Sequence, residues 1–335
     1  MTMHLVQINH AEHGRRVAAV DDRRLLPLKE SRTIYHLAQS ALDNGIPLSD
    51  AGQSEIDEES AIDYDAVYEG NGEWRLLPCF DHPTEPSRCH VSGTGLTHKG
   101  SAINREAMHE ETAADVTDSM CMFQWGLEGG NPAPGDIGVQ PEWFYKGYGS
   151  ILRGHAELLN VPDFAEDGGE EPEIVGLYLI DMDGRPRRVG MSTGNEFADH
   201  VMEKRNYLYL APSKLRQCAI GPELIVDPPF DDIRGTVKIE RQGSTVWSQA
   251  VATGEANMCH SLANIEYHQF KYSAHRRPGD VHLHFYGADA FSFGAGLALQ
   301  DGDVMVVQWD GFGRALWNPL RMDRREPDYG EVQPV

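Results

Sequence analysis

The chain has 335 residues, of which 40% are hydrophobic and 24% charged, enough to bury a core as one large domain or two ordinary ones. Asp and Glu number 52 against 29 Lys and Arg, a formal net charge of -23. That balance argues against a nucleic-acid partner, which needs basic surface to displace counterions, and against an anionic membrane surface.

No run approaches the roughly 20 apolar residues of a membrane span, and the N-terminus lacks an apolar stretch of signal-peptide length, so a cytoplasmic protein is expected. Cys79, Cys89, Cys121, Cys218 and Cys259 are scattered and odd in number, which reads as separate reduced thiols, mostly buried. Residues 4–30 read as short strands, with the apolar run 17–20 ahead of the charged turn Asp21-Asp22-Arg23-Arg24. Ser31 then caps a predicted helix with Ile34, Leu37, Ala38, Ala41 and Leu42 on one stripe and Gly45 as its stop. Residues 50–69 carry eight acidic side chains with no facing cation run, the pattern of a solvated surface.

A composition shift near Pro78 separates an N-terminal region, 1–78, from a main body, 79–335. The body alternates turns with short β-type segments, including 173–180, 187–191, 237–240, 281–286 and 304–309. Helical patterns interrupt it at 101–114, 195–206 and 257–272. The expected class is α+β, mostly β, with a smaller N-terminal α/β region.

The stretch Glu170-Glu171-Pro172-Glu173 runs straight into the apolar segment 174–180. If a strand opens at Glu171, alternation puts Glu171 and Glu173 on one face, where two carboxylates can converge on an ion. Pro172 suits a first strand residue. The plainer alternative is a polar loop that happens to precede a core strand. Asn195-Glu196 supplies a third acid, either as a ligand or as a first-turn residue at the positive end of a helix capped by Asn195. Three carboxylates with no nearby Cys make an all-oxygen site, suited to Mg²⁺ or Mn²⁺ rather than Zn²⁺.

Over roughly residues 79–320 these motifs resemble the fumarylacetoacetate hydrolase superfamily. The family's Glu-x-Glu strand opening stands here as Glu171-Pro172-Glu173, its third ligand as Asn195-Glu196, and its Gly/Ser-Lys turn as Ser213-Lys214. Its Pro-Gly-Asp-Val segment is Pro278-Gly279-Asp280-Val281, and its closing Gly and Asn-Pro are Gly313 and Asn318-Pro319. Phe144-Tyr145-Lys146 resembles its Phe-x-Lys, and Gly95-Leu96-Thr97-His98 the opening of its lid. Two features depart from the pattern: the third ligand is Glu rather than Asp, and Phe197-Ala198-Asp199-His200 replaces a stretch that usually brings an Arg near substrate.

The resemblance implies a mixed β-sandwich roll, a homodimer or larger oligomer, and a small 2-keto acid substrate chelating the metal. The long form is similar to a bacterial branch acting on sugar acids in non-phosphorylative pentose breakdown. It implies dehydration of a 2-keto-3-deoxypentonate to 2-oxoglutarate semialdehyde. The alternative is C–C hydrolysis of a 2,4-diketo acid to pyruvate and glycolate. Glu171, Glu173 and Glu196 are the expected ligands, and His98 and Glu106, on the lid-like segment, the expected acid/base groups. Lys214 and Lys146 could each neutralise the substrate carboxylate or enolate, though a packed stem with an exposed amine suits Lys146 nearly as well. A rival reading takes His282 and His284, which alternate on one strand face, as a cupin-type transition-metal pair, although the Glu that should follow is absent.

Overall fold

The computed structural model describes residues 2–100, 102–103, 117–326 and 330–335. Its centre is the strand Pro172–Ile180, buried along its whole length. A continuous apolar run without alternation suits a strand covered on both faces. This one pairs antiparallel with Pro186–Asn195 on one side and Val281–Phe285 on the other. The sheet continues through Cys218–Ile225 to His4–His10, Gly14–Asp21 and Arg24–Pro27. In the other direction it passes to Cys89–Gly95, parallel to Val281–Phe285, and ends on Glu142–Tyr148. A second sheet contains Ser244–Thr253, Ile233–Arg241, Val304–Trp309, Leu316–Met322 and Leu159–Val161, in that order.

Alternation along the central strand sorts its side chains between two cores. Val175, Leu177 and Leu179 pack with Leu37, Ala38 and Phe80, under the helix Ile34–Asn44. Ile174 packs with Val237, Val307 and Trp309 of the second sheet. The result is two sheets face to face with helices outside, the mostly-β α+β architecture expected. The strand His4–His10 pairs with Cys218–Ile225, so the strands before and after Pro78 share one sheet and one core. All five cysteines are free and four of them are buried. Among the described residues, no helix is long and apolar enough to cross a membrane.

Local signals were shifted by competing partners. The first helix is capped by Thr33, whose hydroxyl accepts from the His36 N–H, and not by Ser31. Ser31 instead spends its hydroxyl and its N–H on the Glu55 carboxylate. Gly45 does end this helix, in the left-handed conformation at φ 65°. The helix expected at 195–206 is only His200–Arg205, capped by Asp199, because Asn195 belongs to a strand. The pattern at 257–272 gives Leu262–Phe270, capped by Ser261. Most of the helix expected at 101–114 lies outside the described residues, as do Glu106, His109, Glu110 and Glu111.

One buried carboxylate ties the N-terminal strands to the body. Glu223 accepts from the Tyr64 hydroxyl at 2.8 Å and the Arg314 N–H at 3.0 Å, with His4 Nδ1 at 2.7 Å. Tyr64→Phe removes one donor from this charged acceptor and is expected to cost about 1–3 kcal/mol of stability. Urea denaturation reads this as a lower midpoint at unchanged slope; an unchanged midpoint would contradict the tie.

Candidate functional site

The antiparallel ladder sets Pro172 opposite Asn195 and Glu173 opposite Gly194. Just beyond it, the Glu196 N–H donates to the Glu171 carbonyl at 3.0 Å. The Asn195 side-chain oxygen accepts the Glu171 N–H at 3.2 Å, so Asn195 clamps the strand opening and caps no helix. Phe197 then turns the chain at φ 56°, a conformation a bulky residue rarely adopts. Reciprocal bonds between Gly169 and Ala198, at 2.9 and 3.1 Å, hold this turn. Glu171 and Glu173 share a face, as strand alternation requires. Together with Glu196 they bring carboxylate oxygens within 4.8 Å of one another, and all three are buried. Glu196 lies ahead of the short helix rather than in its first turn, which removes the helix-dipole reading.

Two lysines enter this cluster from other elements. Lys214, following the turn Leu210–Ser213, donates to Glu171 Oε1 at 2.5 Å and Glu196 Oε2 at 2.6 Å. Its ammonium lies over the Phe144 ring, 4.9 Å from the centroid. Lys146, from the strand Glu142–Tyr148, donates to Glu196, to the Phe197 carbonyl at 3.0 Å and to the Lys214 carbonyl at 2.8 Å. Its amine is buried, which corrects the packed-stem, exposed-amine alternative: three protein acceptors occupy it. His200 Nε2 lies 2.8 Å from Glu171 Oε1, and its ring stacks on Phe291 at 4.6 Å between centroids.

These neighbours pull the three carboxyls apart in acidity. Burial raises Glu171, but Lys214 and His200 outweigh it and hold this group well below the usual carboxylate range. Burial and the charges of Glu196 and Glu171 hold Glu173 well above that range; its hydrogen bond among the described residues is from the Gly287 N–H, at 2.7 Å. Burial and Glu171 push Glu196 up to about 7 against the pull of Lys146 and Lys214. Burial lowers the His200 imidazole, yet its bond to Glu171 leaves it raised. Glu173, with its acidity weakened this far, keeps its proton in the cation-free site, and a hard cation would take that proton's place among the three carboxyls.

A cavity of about 20 Å³, room for about one water, lies against Glu171, Glu173 and Lys214. Glu142, Glu203, Gly95, Leu96, Gly287, Ala288 and Phe291 form its other walls. A larger groove of about 680 Å³, between Arg188, Glu266, Phe270 and Arg276, shares none of these residues.

The structure thus gathers Glu171, Glu173, Glu196, Lys214 and Lys146, and treats the other nominated residues differently. His98 is buried between the hydroxyls of Thr97 at 2.8 Å and Thr253 at 3.1 Å, does not line the cavity, and is pushed down to about 3 by burial. Glu106 lies outside the described residues. The His282–His284 metal reading is corrected. His284 is held by the hydroxyls of Ser92 and Thr94, and His282 stacks near His90 and His275. Among the described residues, only the Glu171–Glu173–Glu196 group brings three such side chains close enough to share an ion. The sequence reading missed His200, Glu142 and Glu203. Pro141-Glu142 opens an apolar-rich strand much as Glu171-Pro172 does, and that was a usable signal; Glu203 had none.

Lys214→Met leaves Glu171 and Glu196 short of their shared cation and is expected to cost about 3–5 kcal/mol at neutral pH. Urea unfolding in chelator measures the loss. It should shrink as pH falls and the stranded carboxyls take up protons.

No protein-family model matches the chain, and no curated protein matches it. Solved structures do. A 2-keto-3-deoxyarabinonate dehydratase is similar at 19% identity and TM-score 0.71, over 96% of this chain and 100% of that one. A 2-keto-3-deoxy-D-arabinonate dehydratase complexed with magnesium and 2,5-dioxopentanoate has the same identity, coverage and score. A 2-hydroxyhepta-2,4-diene-1,7-dioate isomerase from Mycobacterium marinum follows at 14% identity and TM-score 0.58, over 96% of this chain and 100% of that one. The fold of this chain is therefore the one these dehydratase and isomerase structures share.

Proposed function

We propose that the chain is a Mg²⁺-dependent dehydratase that converts a 2-keto-3-deoxypentonate to 2-oxoglutarate semialdehyde. The buried Glu171–Glu173–Glu196 cluster carries this reading. Its all-oxygen donor set fits Mg²⁺ or Mn²⁺. The likeness to a dehydratase complexed with magnesium and 2,5-dioxopentanoate, another name for 2-oxoglutarate semialdehyde, supports the choice of reaction.

When bound, the ion would supply a Lewis acid for a substrate's carboxylate and 2-keto oxygens. The chain's own groups would do the rest. Lys214 lines the cavity as a fixed cation, so it favours negative charge developing on the substrate as the C3 proton is lost. Burial alone would favour the neutral amine, but the charges of Glu171 and Glu196 outweigh it and shift Lys214 upward, so the ammonium stays charged. Lys146 balances Glu196 from behind. Loss of the C3 proton expels the C4 hydroxyl as water, and tautomerisation yields the keto-aldehyde.

Glu171→Gln, Glu173→Gln and Glu196→Gln are each expected to lower metal-dependent turnover by at least about 100-fold while the fold survives. Full activity in any two would refute the reading. Product analysis after feeding a 2-keto-3-deoxypentonate should find 2-oxoglutarate semialdehyde; pyruvate and glycolate from a 2,4-diketo acid would move the assignment to a C–C hydrolase.

Metal binding should also release protons. Glu173 and Glu196 are weakened as acids in the metal-free site, Glu173 well above the usual carboxylate range and Glu196 up to about 7, so each holds its proton to higher pH, and a cation must displace those protons. Mg²⁺ affinity should therefore rise between about pH 6 and 8. Calorimetry in two buffers of different ionisation enthalpy would detect the released protons.

A further inference from the structure

Among the described residues, Glu173 takes its side-chain hydrogen bond from the main chain, the Gly287 N–H at 2.7 Å. Whatever aims that N–H therefore helps to set the triad. The carbonyl of the same peptide, that of Tyr286, accepts the Thr97 hydroxyl at 2.8 Å. A Cβ on residue 287 would collide with this hydroxyl, and Gly287 sits at φ 96°, so a glycine lets Thr97 come this close. The Tyr286–Gly287 peptide is thus gripped at both ends, and each bond polarises it in favour of the other.

Thr97 is itself held from several sides. Leu96, just past the strand Cys89–Gly95, turns the chain at φ 52°, a conformation uncommon outside glycine. The Thr97 carbonyl accepts the Cys259 N–H at 2.8 Å. Its buried hydroxyl lies 2.8 Å from His98 Nδ1, and His98 Nε2 lies 3.1 Å from the Thr253 hydroxyl. A hydroxyl has one proton and a carbonyl can only accept, so Thr97 spends its proton on Tyr286. His98 must then carry its proton on Nδ1 and donate it to Thr97. Burial keeps this imidazole neutral, which leaves Nε2 as an acceptor for the Thr253 proton. Met258 Sδ, 3.7 Å from the same hydroxyl, is a weak competitor for it. Donation therefore runs one way, from Thr253 through His98 and Thr97 to the Tyr286 carbonyl.

We propose that Thr97 is a positioning residue of the metal site, acting on Glu173 through the Tyr286–Gly287 peptide, with His98 and Thr253 fixing where its hydroxyl points. The assignment rests on reading Glu171, Glu173 and Glu196 as the ligands of a hard cation. A carboxyl turned in advance by an outer partner loses less freedom when an ion arrives. Without the Thr253 proton, His98 can move its own proton to Nε2. Its Nδ1 then accepts from Thr97 and competes with Tyr286 for the single hydroxyl proton.

Calorimetric titration of the whole chain with Mg²⁺ tests this, with urea unfolding in chelator to check that each variant is folded. Thr97→Val keeps the side-chain shape, loses the hydroxyl, and should bind Mg²⁺ about tenfold more weakly than wild type. Thr97→Ser returns the hydroxyl and should recover wild-type affinity. Thr253→Val leaves Thr97 in place and should still weaken binding by at least about threefold. A packing role alone would lower the urea midpoint and leave the Mg²⁺ affinity of the folded chain unchanged. Wild-type protein that binds no Mg²⁺ would overturn the metal reading. Wild type that binds, with Thr97→Val within about threefold of it or Thr97→Ser as weak as Thr97→Val, would overturn the positioning role alone. Should Thr97→Val not fold, Thr253→Val decides, and wild-type affinity there would overturn the role.

Discussion

Three carboxylates packed against two ammoniums, out of contact with bulk water, form the constraint from which the rest of the molecule follows. Burying any one of these charges unpaired would cost several kcal/mol. The pairing is nearly complete: Lys214 bridges Glu171 and Glu196, and Lys146 closes on Glu196 from behind. Glu173 is the exception: among the described residues it is held by a backbone N–H and forms no ion pair of its own. The cluster is therefore stable enough to exist, and the proton that Glu173 holds is what a divalent ion would displace on binding reversibly.

Backbone geometry delivers those groups with little help from side-chain flexibility. Glu171 and Glu173 come from the opening of one strand, and Glu196 from the end of its neighbour. The left-handed turn at Phe197 follows Glu196 directly, and its carbonyl is spent on Lys146. Strain stored there is offset by the Gly169–Ala198 pair and by a core that buries the Phe197 ring completely. The longer Glu at this position, where Asp is usual in the resembling family, reaches both lysines at once.

The chemistry-bearing motifs were legible because they are local. Glu171-Pro172-Glu173 before an apolar run states both a strand and a shared face, and Ser213-Lys214 marks a turn that aims one ammonium. Boundaries were less legible where a polar side chain had two possible partners. Ser31 reads as a cap until Glu55 claims it, and Asn195 reads as a cap until the Glu171 N–H does. His98 illustrates the opposite failure. A histidine in a Gly-rich turn looks available, yet it is enclosed between two threonine hydroxyls.

The amino-acid order by itself determined the strand pattern, the acidic triad and the two lysines, because period-two alternation and short motifs act between neighbours in the chain. Only the tertiary structure decided what surrounds them. Glu142 and Glu203 reach the cavity through a ladder pairing with Gly95 and through a short helix placed after the Phe197 turn. His200 meets Glu171 across 29 positions of sequence. Such meetings depend on how two sheets and a turn are stacked, and that long-range arrangement leaves no periodic mark on the chain.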